Sequence, residues 1–170
     1  MFVHDSICER VADTLAKRAA LLKVGDPLDE ETEVGPLIAP SEVDRVEAWV
    51  NEAVEAGAEL LIGGERISET CYAPTVLLNP PMNAKVSTQE VFGPVVCIYA
   101  YRALEEAIAW ANELDMHFQA SVFTQHIGKA LKLAQAVNAT AVMINDHTAF
   151  RVDWMPFGGR DASGLGLGGI

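Results

Sequence analysis

The segment Ser87-Thr88-Gln89-Glu90-Val91-Phe92-Gly93-Pro94 sets a carboxylate and an aromatic ring two residues apart. A Gly-Pro pair stops both ahead of an apolar run, so one rigid corner can present the two side chains together. A carboxylate accepts hydrogen bonds from two vicinal hydroxyls, as on a ribose. An aromatic ring packs against a planar heterocycle. The same residues also serve as an ordinary helix cap followed by a core phenylalanine, and physical grounds alone favour that use.

A second cluster, Asp146, His147, Thr148 and Arg151, follows the apolar run Ala141-Val142-Met143-Ile144. Polar groups directly after a buried strand stand where parallel α/β folds bind ligands, at carboxyl strand ends. Ligand contact and an ordinary surface loop both fit this spacing. The other histidines, His4, His117 and His126, lie far apart without metal-ligand spacing, so no metal site is expected. Gly164-Leu165-Gly166-Leu167-Gly168-Gly169 looks superficially like a dinucleotide loop. That chemistry needs a strand before it and a helix after it, so a tight backbone turn is the expectation. Cys8, Cys71 and Cys97 show neither a disulfide framework nor metal spacing, which points to a reducing, cytoplasmic setting.

The elements that carry these groups read as follows. Ser6-Ile7-Cys8-Glu9 has capping-box spacing and opens a helix with Ile7, Val11, Leu15 and Leu22 on one face. Residues 25–40 are loop. Ser41 caps a second helix whose buried stripe is Val43, Val46, Val50, Ala53 and Val54, with Gly57 as a left-handed stop. Glu59–Ile62 and Pro74–Leu78 are extended, and Ser87–Val91 is a helical turn. Val95–Tyr101 is a strand buried on both faces, followed by helix 103–113, strand 119–124, helix 127–137 and strand 140–145. That β-α-β-α-β order predicts an α/β layered domain, its mostly parallel sheet covered by helices. One domain over 1–170 is expected, with 145–170 as a glycine-rich tail.

The 170 residues are 50% hydrophobic and 21% charged, which excludes disorder. Apolar runs are strand-sized, so no membrane span is expected, and no signal segment is read at Met1–Asp5. A net charge of −12 repels polyanions, so nucleic acid and anionic membranes are excluded as partners.

Taken in order, these segments resemble the NAD(P)-dependent aldehyde dehydrogenase superfamily. The resemblance rests on Leu22-Lys23-Val24-Gly25-Asp26-Pro27, Gly35-Pro36-Leu37-Ile38, Ala73-Pro74-Thr75-Val76-Leu77 and Glu90-Val91-Phe92-Gly93-Pro94-Val95. It continues through Ala120-Ser121-Val122-Phe123-Thr124, Ile144-Asn145, Pro156-Phe157-Gly158-Gly159 and Ser163-Gly164. The resemblance implies that Glu90 binds the nicotinamide ribose and that Phe92 packs near the nicotinamide. It further implies that Phe157 lines the aldehyde entrance and that the loop from His147 to Arg151 tunes substrate choice.

The family reaction oxidises an aldehyde to an acid through a cysteine thiohemiacetal that passes hydride to NAD or NADP. By this resemblance the nucleophile, the general base and the cofactor domain lie upstream of Phe2, and none of the three cysteines falls on the nucleophile's position. The expectation is a carboxy-terminal piece of the catalytic domain with no catalytic residue of its own. It should be inactive alone and bind NAD or NADP weakly or not at all. A non-catalytic module that self-associates through its truncated face, or docks on a partner, is the alternative. The family commonly has glycine near His117 and near Thr140, where this chain departs. The stretch from Asn145 to Trp154 resembles branches handling small polar or anionic aldehydes, of lactaldehyde or phosphonoacetaldehyde type. Arg151 would then clamp the anion, unless it pairs with Asp146 or Asp153.

Overall fold

The computed structural model describes residues 1–164, 166 and 168, gathered into two compact units, Met1–Arg102 and Ala103–Ile170. The first unit runs β1 (Phe2–His4), α1 (Asp5–Ala19), α2 (Pro40–Glu55), β2 (Glu59–Ile62), β3 (Thr75–Leu78), α3 (Lys85–Thr88) and β4 (Val95–Tyr101). Its four strands form one mixed sheet in the order β1-β4-β3-β2. β4 is central in that sheet, parallel to β1 (Phe2 beside Tyr99) and to β3 (Thr75 beside Val95), while β2 closes the edge antiparallel to β3.

Strand side chains alternate between faces, and here each face meets its own helix. On β3, Leu77 packs with Val43, Val46, Val50 and Ala53 of α2, whereas its neighbour Val76 packs with Cys8 and Ala12 of α1. Cys97 and Ile98 divide in the same way along β4. The four α2 residues are completely buried, as the helical stripe in the sequence predicts. Gly57 closes the helix at φ +107°, a left-handed conformation open to a residue without Cβ.

The start of α1 differs from expectation. The helix opens at Asp5, one residue ahead of Ser6, and the His4 imidazole Nδ1 accepts the Ser6 backbone N–H at 3.3 Å. The ring takes the capping role expected of the serine. The buried face accordingly centres on Cys8 and Ala12, with Val11 and Leu15 flanking it, while Ile7 stays 40% exposed.

The second unit runs α4 (Leu104–Ala111), β5 (Met116–His117), β6 (Gln119–Val122), α5 (Ile127–Ala136), β7 (Ala141–Ile144) and β8 (Arg160–Asp161). β6 and β7 are parallel with Gln119 beside Ala141, and α5 lies between them in the chain. β5 and β8 form a short antiparallel pair, Met116 beside Asp161 and His117 beside Arg160. The fold is α/β, and three of the five strand pairings among the described residues are parallel. Among the described residues no helix is long and apolar enough to cross a membrane. The glycine tail from Gly164 to Gly169 falls partly outside the described residues; within them, Gly168 bridges Phe157 through reciprocal backbone bonds of 2.6 and 2.7 Å.

Candidate functional site

The corner at Gln89–Pro94 is fixed from below and from both ends. At its start, the Tyr99 hydroxyl of β4 donates to Ser87 Oγ at 2.7 Å, and Ser87 donates to the Pro81 carbonyl at 2.8 Å. Burial pushes the Tyr99 phenol far above its ordinary value, so it stays a neutral donor. In the middle, Arg45 of α2 donates to the Val91 carbonyl at 2.7 Å. The same guanidinium pairs with Glu42 and lies 4.4 Å over the Trp49 ring, which fixes the fork. At the far end, Thr75 N–H donates to the Pro94 carbonyl, coupling the corner to β3.

Val91 is drawn down against the core beside Val43 and Val46, so its neighbours Glu90 and Phe92 are turned out to solvent. Phe92 is 75% exposed and holds φ +47°. A bulky residue in the left-handed region costs roughly 1–3 kcal/mol and persists only where its surroundings over-determine it. Here Gly93 supplies the surroundings, seated so closely on α2 that an added Cβ would stand 3.0 Å from Val46 Cγ2. The Phe92 ring therefore edges an open apolar groove of about 470 Å³ lined by Val34–Ile38, Glu42, Gly93 and Pro94. Glu90 makes no ion pair among the described residues. An exposed carboxylate beside an exposed ring and an apolar groove can accept hydrogen bonds from hydroxyls and offer a flat apolar face to a planar ring.

In the second unit, Asn145 controls where the polar loop begins. Its side-chain amide bonds both backbone groups of Thr124, accepting from the N–H at 2.8 Å and donating to the carbonyl at 3.0 Å. That continues the β6–β7 ladder by one rung, and φ +58° at Asn145 then turns the chain out. Ser121 Oγ donates to the Asp146 carbonyl across the same strand end. The His147 ring is 70% exposed, 3.8 Å from Asp146 Oδ1, and its carbonyl accepts from Phe150 N–H.

Arg151 lies with its guanidinium 4.0 Å from the Phe157 ring centroid, and Phe118 meets Phe157 edge-on at 5.0 Å. Among the described residues Arg151 has no carboxylate partner, neither Asp146 nor Asp153. The five residues singled out in the sequence thus divide between units. Glu90 and Phe92 share the corner of the first; Arg151 and Phe157 touch in the second, where His147 turns to Asp146 instead.

None of the three thiols borders the groove. Cys8 and Cys71 are buried. Burial raises the Cys8 and Cys97 thiols above their ordinary value, with Asp5 and Glu9 adding to the effect at Cys8. Cys97 Sγ faces the Val86 carbonyl at 3.8 Å.

Asn145 falls in the Ile144-Asn145 motif, which does not disclose its aiming role. The other residues that aim the display, Arg45, Phe118 and the His117–Asn138–Asp161 group, carry no motif and escape a reading by type and spacing. The glycine departures at His117 and Thr140 were the one signal pointing to the last group.

Helices on both faces of a mixed sheet, with polar and aromatic groups displayed on loops at its margins, are the build of an α/β catalytic domain. The chain belongs to the aldehyde dehydrogenase family, whose model matches residues 1–170. It is 41% identical over 169 residues to 3-sulfolactaldehyde dehydrogenase from Priestia megaterium, covering 99% of this chain and 35% of that protein. Among solved structures it superposes on aldehyde dehydrogenase 21 from Physcomitrella patens, in complex with the reaction product succinate. The TM-score there is 0.93 at 35% identity, over 98% of this chain and 34% of that one. It also superposes on glyceraldehyde-3-phosphate dehydrogenase GapN from Methanocaldococcus jannaschii, complexed with NADP. There the TM-score is 0.92 at 38% identity, over 98% of this chain and 36% of that one. The chain spans about a third of the length of these relatives.

Proposed function

We propose that these residues are the cofactor-facing and substrate-facing part of an NAD(P)-dependent aldehyde dehydrogenase for small anionic aldehydes, and that the 170 residues alone do not turn an aldehyde over. The observation that carries the reading is the Arg151 guanidinium, laid on Phe157 without a carboxylate partner among the described residues. Stacked this way, it loses little further freedom when its N–H edge meets a sulfonate, phosphate or carboxylate in a two-bonded fork. The relatives' names agree, since a sulfonate, a phosphate and a dicarboxylate product each put an anion on the molecule handled.

Glu90 would accept the nicotinamide ribose hydroxyls, and the Phe92 ring would offer the base a flat apolar face. The nicotinamide, when bound, accepts hydride. Both residues reach one end of the cofactor only, so this chain's own affinity for NAD or NADP is weak. His147 and Phe157 would border the aldehyde. The thiolate is the nucleophile in this chemistry, and burial keeps Cys8 and Cys97 in the thiol form.

Titration of the labelled chain with isethionate, a small hydroxysulfonate, tests the anion site by NMR. Saturable shifts at Arg151 and Phe157 that vanish in Arg151→Met are expected. Equal binding by the variant contradicts the reading.

A second reading, self-association or docking without catalysis, draws on the large apolar residues left in solvent, Leu28, Ile38 and Trp154 among them, at 91%, 96% and 77% exposure. Sedimentation across concentrations separates the two readings. A dimer supports association, and a strict monomer removes it.

A further inference from the structure

His117 is one of two polar residues buried in the described core, its side chain 6% exposed. Its Nδ1 lies 2.8 Å from Asp161 Oδ2. A carboxylate only accepts, so Nδ1 carries the proton and donates it. Asn138 Nδ2 also donates to Asp161 Oδ2 at 2.8 Å and sits 3.0 Å from the same imidazole nitrogen. These two donors hold the Asp161 carboxyl below its ordinary value. The opposite nitrogen, Nε2, is buried with no partner among the described residues.

One feature of this cluster works against stability: a buried polar atom without a partner among the described residues is costly. Such costs gather where geometry serves a function. Asp161 holds φ +53°, a left-handed turn that aspartate takes more readily than most residues. The segment that the cluster fixes is the one bearing Phe157. β8 is only two residues long, and its ladder to β5 is supplemented by Ala162 N–H donating to the Asp115 carbonyl at 2.8 Å. Immediately after His117 on β5, Phe118 meets Phe157 edge-on. The imidazole of β5 thus holds the segment, and the phenylalanine that follows the strand meets the ring on which Arg151 lies.

We infer that His117 and Asp161 are positioning residues whose charge-assisted bond places Phe157, and through it Arg151, for anion binding. The inference rests on the anion reading given above. The titratable and charged groups around the pair are Asp161 and Arg160 on β8 and Asp115 beside β5; Asn138 is neutral.

The test reads the Arg151 side-chain resonances of the labelled chain, which the Phe157 ring current moves upfield. His117→Gly, Asp161→Asn and the double variant are compared, with β6 and β7 amide signals reporting that the unit is folded. Loss of the upfield displacement in each single variant is expected, together with about tenfold weaker isethionate binding. The double variant should be no worse than either single one. In the unmodified chain, which needs no variant to fold, the same displacement should fade as acid protonates Asp161. Unmoved Arg151 signals and unchanged affinity in Asp161→Asn overturn the inference. If isethionate fails to bind the unmodified chain while Arg151 responds as stated, the clamp stands and the anion reading falls.

Discussion

The Gln89–Pro94 corner and the Phe157–Asp161 segment both display an aromatic ring, yet they are held by opposite means. Beneath the corner lie Val43, Val46 and Leu77, all fully buried, with Gly93 pressed on α2 and Val91 drawn inward. Among the described residues the Phe157 segment shows no such cluster of fully buried side chains beneath it. It is held by the two-residue ladder, the backbone pair of Phe157 with Gly168, the Phe118 ring, a buried imidazole and a carboxylate whose side chain is 51% exposed. Packing tolerates changes of pH and salt, whereas a charge-assisted bond can be titrated away. Packing carries most of the display of Glu90 and Phe92, with Arg45 and its Glu42 pair added, whereas the surroundings of Arg151 lean on titratable groups.

The largest effect should come from removing the corner's floor. Leu77→Ala deletes a fully buried side chain and should cost about 2–5 kcal/mol in denaturant unfolding followed by Trp49 fluorescence. A loss below 1 kcal/mol would mean that the corner does not rest on packing.

Gly93→Ala comes next. Its new Cβ would stand 3.0 Å from Val46 Cγ2, so a destabilisation of about 1–3 kcal/mol and shifted Phe92 signals are expected.

A smaller effect isolates strain. At φ +47°, Phe92→Gly should be about 1 kcal/mol more stable than Phe92→Ala, because only glycine takes that conformation freely. Equal stability would show that the left-handed backbone is not held against a cost.

The smallest effect belongs to the polar segment. Asp161 is held below its ordinary value by Asn138 and His117. Its contribution is therefore complete above the ordinary aspartate range and is lost as pH falls through the lowered value. The Ala162 amide shift should follow that acid transition in the unmodified chain and stay flat through it in Asp161→Asn.

These contrasts explain what the sequence could disclose. Apolar spacing exposed the α2 stripe, because burial imposes a period on side chains. A continuous apolar run exposed the strand Val95–Tyr101, although only Ile98 and Tyr99 of it are buried and the rest is half-buried. The same logic failed wherever polar groups or single dihedrals decide. A histidine capping α1 has no place among the usual cap residues. β5 and β8, two residues each, are too short for any period. Asn145 and Asp161 are types that enter the left-handed region readily and Phe92 is not, and nothing in their neighbours' types marks that these particular residues do so. Site residues were legible as types in sequence, while their aim was set by side chains distant in the chain, such as Arg45 for the corner and His117 for the tail.

Cys8 and Cys71 are buried, and none of the three thiols borders the groove at Phe92. Incubating the purified 170-residue chain with 3-sulfolactaldehyde and either NAD or NADP, and following reduced cofactor, tests this most directly. The predicted result is no reduction above the protein-free control. A rate that disappears when Cys8, Cys71 or Cys97 is replaced by serine would contradict it.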